Sequence, residues 1–348
     1  MIDNIVKKGL ALAIILLFIS MSIASSSAVD NVKKSSIPVS NASNSTIISV
    51  DNEGDGDYTS IKEAVNNANP SDTIEVNSGT YYERGIIFEK EGITFQGVSY
   101  ELGSGNDTGK PFINGEGKGQ VIDIKSQRIT IDNFRIENEG APYAYGIISI
   151  LRGADNCLVS HNDISHSVMG CISCNSDNNS FIKNNISHSP GRQGIYLHEP
   201  CSNCLVSGNI ISDCDTGICV WKSNNNTITG NKIMRCRYYG IDVAVGSGYN
   251  EIIGNQLENN SIGIEICDFF NSVKRNNFIN NEINAKFYGI GTTILQCLTN
   301  KWFGNYWDKP RLLPYPILGA LSLFFPFYFL PMIRFDWRPA LKPYDIGV

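Results

Sequence analysis

"GIYLHEPCSNCLVSGNIISDCDT" (residues 194–216) and "GICVWKSNNNTITGNKIMRCRYY" (217–239) are consecutive copies of one pattern. Each opens on a glycine, alternates apolar and polar residues, reaches an Asn-rich turn, and continues in further short strand-like runs. The pattern recurs outward from this pair as "GIISILRGADNCLVSHNDISHSVM", "GCISCNSDNNSFIKNNISHSPGRQ", "GIDVAVGSGYNEIIGNQLENNSI" and "GIEICDFFNSVKRNNFINNEIN". The leading glycines are 146, 170, 194, 217, 240 and 263, so successive turns are 24, 24, 23, 23 and 23 residues long. No helix-length pattern intervenes. This excludes a leucine-rich horseshoe and predicts a coil in which every turn adds strands to parallel sheets.

Parallel neighbours lie about 4.8 Å apart, so equivalent positions stack into columns along the coil. One predicted column is Asn162, Asn184, Asn209, Asn231, Asn255, Asn276 and Asn300, each followed two positions later by an apolar residue. An amide carries both donor and acceptor, so a buried Asn at a corner can satisfy its neighbours and the bent backbone. Within the strand opening each turn, the residues one and three after the glycine are mostly apolar and are expected to point inward. Those two and four after it are expected outside: Ile148 and Ile150, Ile172 and Cys174, Tyr196 and His198, Cys219 and Trp221, Asp242 and Ala244, Glu265 and Cys267. On this reading Tyr196 and Trp221 are ligand-binding rings that stack on sugar faces. Asp242, Glu265 and His198 are the candidate catalytic groups. Asp242 and Glu265, about 5 Å apart on adjacent turns, match the carboxyl spacing of a retaining glycosidase. The competing expectation is that an arm of the chain packs over this face and buries its rings.

Upstream, "YTSIKEAVNNANP" places Ser60 three residues before Glu63 as a capping box, with Ile61, Ala64, Val65 and Ala68 at helical spacing and Pro70 as a stop. A helix of about ten residues is too short to stand alone. It is predicted to close the open first end of the coil.

The repeated turns, preceded by "GDGDYTSIKEAVNNANPSDTIEVNSGTYYE", resemble the right-handed parallel β-helix proteins of the pectate-lyase-like superfamily. They are similar in particular to archaeal (methanogen) surface proteins with NosD-type or carbohydrate-binding and sugar-hydrolase (CASH) repeats. The resemblance covers 51–309, and "FDWRPALKPYD" is similar to the ending of methanogen members. It implies an all-β fold but does not choose among lyases, hydrolases, epimerases, adhesins and accessory proteins of copper-enzyme maturation. Hydrolases of the superfamily use several aspartates on adjacent strands, and its lyases pair calcium-binding acids with an Arg or Lys base. This face offers only Asp242 and Glu265, with Arg192, Arg235 and Arg237 in connecting segments. Binding of an extended cell-surface polysaccharide or glycoprotein, or a structural role at the surface, is therefore the leading expectation. A polysaccharide hydrolase or lyase comes next, and an accessory role in copper handling third.

The resemblance's copper association makes Cys174, His198 and Cys219 weak candidate metal ligands, while His161, His166 and His188 fall at turns with no evident partner. No cofactor is expected. Ten cysteines in an exported chain suggest disulfides, but Cys157 and Cys204 are predicted in one column two turns apart, too far for a bond. Most read as small apolar fillers. Cys171 is expected inside and Cys174 outside, whereas Cys201 and Cys204 lie in a loop where both sulfurs can converge.

A net charge of −6 argues against nucleic acid. Residues 1–28 read as a signal peptide or N-terminal anchor, 29–48 as a linker with glycosylation acceptors at Asn41 and Asn44, and 49–309 as the β-helix. Within 310–348, the run 312–333 carries no charge but has four prolines, so it is expected to cap the last turn, with a kinked membrane anchor as the alternative. All of this places the coil outside the cytoplasm.

Overall fold

The chain divides into two compact units, 1–42 and 43–348. The computed structural model describes residues 45–103, 105–139, 146–168, 170–290, 299–324 and 328–348, all in the second unit. The expected signal peptide or anchor, most of the linker, Asn41, Asn44 and Cys297 lie outside the described residues.

Short strands, most of them three to five residues long, wind into an all-β, right-handed parallel solenoid. Its corners explain its composition. The backbone enters the left-handed region at Asn156, Asn178, Asn203 and Asn225, with φ between 58° and 60°, and at Gly208 and Gly230, with φ of 66° and 64°. Asn and Gly reach that region at least cost. One sheet of eleven strands runs from Ile47–Val50 to Lys301–Phe303, and its first strand starts inside the segment read as linker. Two further faces are joined into one 19-stranded sheet because Asn185–His198 and Ile210–Trp221 continue round a corner.

The inward column is Ile122, Ile148, Ile172, Ile195, Ile218, Ile241, Ile264 and Ala285, in register and buried. Here the glycine alignment misleads by one residue. Ile195 follows its glycine directly, whereas Ile148 and Ile172 stand two after theirs, so Ile148, Ile150, Ile172 and Cys174 face inward and are at most 1% exposed. Ser149 and Ser173 take the outward positions in those turns. A one-residue slip moves every side chain to the other face.

The asparagine ladder is present, with a different last member. Oδ1 of Asn184 accepts from the backbone N–H and Nδ2 of Asn162 at 3.1 Å each, while Nδ2 of Asn184 donates to the Val159 carbonyl at 2.9 Å and to Asn209 Oδ1 at 3.0 Å. The series continues through Asn209, Asn231, Asn255 and Asn276 to Asn305. Asn300 instead ends a second ladder through Asn226, Asn250 and Asn271. Each amide closes a bend whose backbone groups cannot reach water.

The helix Ile61–Asn67 buries Ile61, Ala64 and Val65 against the first turns. Ser60 Oγ accepts from the Glu63 N–H at 3.3 Å, as expected, but the second carboxylate at this end is Glu83, which accepts from the N–H groups of Ile61 (2.7 Å) and Lys62 (2.8 Å).

At the other end the apolar tail forms a hairpin. Tyr315–Phe324 joins Ile283–Ile290 as the next parallel strand, and Tyr328–Asp336 returns antiparallel. Trp307 stacks between Phe278 and Tyr315, with ring centroids 4.3 and 4.1 Å away. Buried Asp336 accepts from the backbone N–H of Asn305 (2.8 Å), Asn305 Nδ2 (3.1 Å) and Trp307 Nε1 (3.1 Å), which terminates the ladder. Among the described residues no helix is long and apolar enough to cross a membrane, and within the segment weighed as a kinked anchor residues 315–324 and 328–333 are strand.

Candidate functional site

One outward column of the face reads, turn by turn, Asp123, Ser149, Ser173, Tyr196, Cys219, Asp242, Glu265 and Lys286. His198 and Trp221 pair directly two positions on. Tyr196, His198 and Trp221 are half-buried, and the Tyr196 and His198 rings stack with centroids 4.9 Å apart. Lys222 Nζ lies 4.6 Å from the centre of the Trp221 ring and pairs with Glu199 at 2.9 Å. The tail hairpin extends the sheet edge at Lys286 and leaves these rings partly open, so the expectation of an arm lying over them is not met among the described residues.

The acidic end has the sharpest electrostatics. Stacking places the carboxyls of Asp242 and Glu265 and the thiol of Cys267 so that one ligand atom from each lies within 4.8 Å of the others. Burial, and then the neighbouring charge of Glu265, push the Asp242 carboxyl up to about 7. Glu265 is only 7% exposed, and Lys286 Nζ sits 2.5 Å from its Oε2. Cys219 donates its S–H toward Asp242 Oδ2 at 3.8 Å. Burial, with the Cys219 and Asp242 charges assisting, raises the Tyr196 phenol to about 12, and burial lowers the His198 imidazole. At neutral pH this face thus presents a carboxyl that exchanges its proton, a neutral phenol and a neutral imidazole, with Glu265 ion-paired to Lys286.

The expected set Tyr196, His198, Trp221, Asp242 and Glu265 is gathered on this face; Cys174 is not. It lies on the inner side, so Cys174, His198 and Cys219 do not converge. Lys286 and Tyr239 escaped the sequence reading. Tyr239 has the Lys286 ammonium 5.5 Å from its ring centre. Lys286 sits one turn beyond Glu265, but Asn284 stands where the leading glycine should be and that turn is shorter, which hid the alignment. The turn histidines also have partners: His161 Nδ1 lies 2.8 Å from Asp132 Oδ1, and His166 stacks on His188 at 5.1 Å.

The family described as "Periplasmic copper-binding protein (NosD)" matches this chain over residues 65–242 and 172–312, together more than half of it. The chain belongs to the NosD family. No curated protein matches it. Solved structures similar to this NosD-family chain include the complex of XylC with xylose, at 11% identity over 79% of this chain and 72% of that one, TM-score 0.53. Tailspike protein 2 of Escherichia coli O157:H7 bacteriophage CAB120 matches at 14% identity over 66% of this chain, TM-score 0.49, and this chain spans 34% of the tailspike's own length. DFA-IIIase from Arthrobacter chlorophenolicus A6 in complex with GF2 matches at 13% identity over 73% of this chain and 78% of that one, TM-score 0.49. At such identities the likeness is one of fold.

Two donor sets among the described residues bring three ligand atoms together, and they suit a copper ion differently. Asp242, Glu265 and Cys267 mix hard oxygen with sulfur, and Lys286 already neutralises Glu265. Cys174, Cys201 and Cys204 are all sulfur and all buried within the NosD-type coil. Soft ions favour the second set.

Proposed function

We propose that this NosD-family chain works outside the cytoplasm, as the family's periplasmic description also suggests, and that its Tyr196–Trp221–Asp242 face binds an extended polysaccharide. One observation carries this reading: half-buried rings stand in register on consecutive turns beside a carboxyl poised near neutrality, where a solenoid would ordinarily carry solvated polar residues. Rings supply flat apolar area at low entropic cost, and the protonated Asp242 and neutral His198 and Tyr196 supply hydrogen-bond donors that fit hydroxyl-rich ligands. The xylose in the XylC structure gives the same direction to the reading.

Hydrolysis is the second reading, favoured by the separation of Asp242 and Glu265. Their nearest oxygens fall within 4.8 Å, close to the roughly 5–5.5 Å between carboxyls of retaining enzymes, and Asp242 holds the proton an acid needs. The enclosure of Glu265 by Lys286 weighs against it, because a nucleophile must be reached by substrate. A polysaccharide array combined with a product assay, using wild type, Trp221→Ala and Glu265→Gln, separates the two. Binding by wild type that falls at least about tenfold in Trp221→Ala, with no product, supports a binding module. Product abolished by Glu265→Gln makes it a hydrolase. Failure of wild type to bind any glycan, or retention unchanged in Trp221→Ala, overturns the proposal.

A further inference from the structure

Cys174 ends the strand Ile172–Cys174, and the loop after the strand Asn185–His198 brings Cys201 and Cys204 back against it. Cys201 Sγ lies 2.9 Å from Cys174 Sγ and 3.4 Å from Cys204 Sγ, and all three residues are at most 2% exposed.

Their hydrogen bonds separate them. Other described thiols have an oxygen to donate to: Cys171 the Ile164 carbonyl at 3.8 Å, Cys214 that of Ser212 at 3.3 Å, Cys236 that of Met234 at 3.8 Å, and Cys219 the Asp242 carboxyl at 3.8 Å. Cys174 has the Ser176 carbonyl at 3.3 Å, and Cys204 has the same carbonyl at 3.6 Å and that of Ser202 at 3.7 Å. Among the described residues Cys201 alone has only sulfur within reach. S–H is a weak donor and sulfur a weak acceptor, so Cys201 gains little by staying a thiol. A disulfide needs about 2.05 Å between sulfurs, and Cys174 and Cys201 have less than about 1 Å to close.

We propose that this chain carries a disulfide between Cys174 and Cys201, with Cys204 left as a thiol. Outside the cytoplasm, where the chain is placed above, such bonds form and persist. The partner follows from distance, since Cys174 is the nearer sulfur, and Cys204 keeps its two carbonyl contacts. Two thiols give up two protons and two electrons as the S–S bond forms. The electrons reduce a disulfide of an oxidoreductase or a small molecule, which leaves as two thiols after a mixed-disulfide step. Burial drives the Cys174 and Cys201 thiols far above their ordinary range, so the reactive thiolates belong to the stage before these turns have closed. The bond joins residues 27 positions apart and ties the end of the strand carrying Tyr196 and His198 to the turn before it. It also takes two of the three sulfurs, so the soft donor set exists only in the reduced chain. None of this depends on what the outer face binds.

The test refolds the full chain, reduced and stripped of metal, in a mixture of oxidised and reduced glutathione. Free thiols are then alkylated under denaturing conditions and the peptides mapped by mass spectrometry. A Cys174–Cys201 bond with alkylated Cys204 is expected. The melting temperature of this oxidised wild type should exceed that of the reduced wild type by at least about 5 °C, a difference absent in Cys174→Ser and Cys201→Ser and kept in Cys204→Ser. Alkylated Cys174 and Cys201 in folded wild type, a Cys201–Cys204 bond, or a difference that survives in Cys201→Ser overturns the proposal. Where a serine variant does not fold, the wild-type peptide map decides.

Discussion

Asp242 sits between the Cys219 thiol and the Glu265 carboxylate in one stacked column, and its titration follows from that position. The folded chain holds the proton up to about pH 7, whereas an unfolded aspartate releases it near 3.8. Between those values the native state binds more protons than the unfolded state, so this contribution to stability is full below about pH 4 and is lost as pH rises through 7. Asp242→Asn is expected to flatten the decline in melting temperature between pH 4 and 7 and to leave the variant the more stable by a few kcal/mol at most above pH 7, since each pKa unit is worth about 1.4 kcal/mol. Thermal melts of both proteins across that range check this, and parallel profiles would contradict it. Asn231 belongs to the same scale. Asn231→Ala removes the acceptor of the Asn209 N–H and Nδ2 and the donor to the Val206 carbonyl. A loss of about 3 kcal/mol or more is expected in denaturant unfolding, against less than about 0.5 for the exposed Asn66→Ala.

The elements differ in how far the sequence declared them. The opening helix was legible because its start, stripe and stop are local chemistry, but Glu83 lies 22 residues from the Ile61 amide it caps and no local signal announces it. The Asn column was legible from spacing until the last turn. There both Asn300 and Asn305 precede an apolar residue by two positions, and only the register of Lys301–Phe303 assigns each to its own corner. Asp336 was invisible for the same reason, since its role depends on a hairpin that folds the tail back across the coil's end. Asp336→Ala leaves Asn305, Trp307 and the Gly304 amide without their acceptor. We expect a loss of about 2–4 kcal/mol, with the amides of Lys301–Trp307 exchanging hydrogen faster than those of the central turns; uniform exchange would show that the carboxylate does not hold this end.

For the whole molecule, the repeat made the fold readable, because each turn buries the same inner column against the next. The functional face was half readable. Tyr196, His198, Trp221, Asp242 and Glu265 were found by alternation counted from the glycines, which holds from Gly194 to Gly263, where the residue in the inward register column is the one directly after the glycine. It fails at Gly146 and Gly170, where one added residue carries Cys174 inside, and it stops before Lys286, where the glycine is absent. The polar stretch Asp123, Ser149 and Ser173 therefore replaces the expected apolar start of the face, but Ser149 and Ser173 are themselves buried. The most direct measurement is a crystal structure of the full chain with an oligosaccharide derived from whichever polysaccharide the array retains. The account predicts sugar rings against Tyr196 and Trp221, with a hydroxyl in hydrogen-bond reach of Asp242. Sugar bound elsewhere on the coil, with these side chains uncontacted, would contradict it.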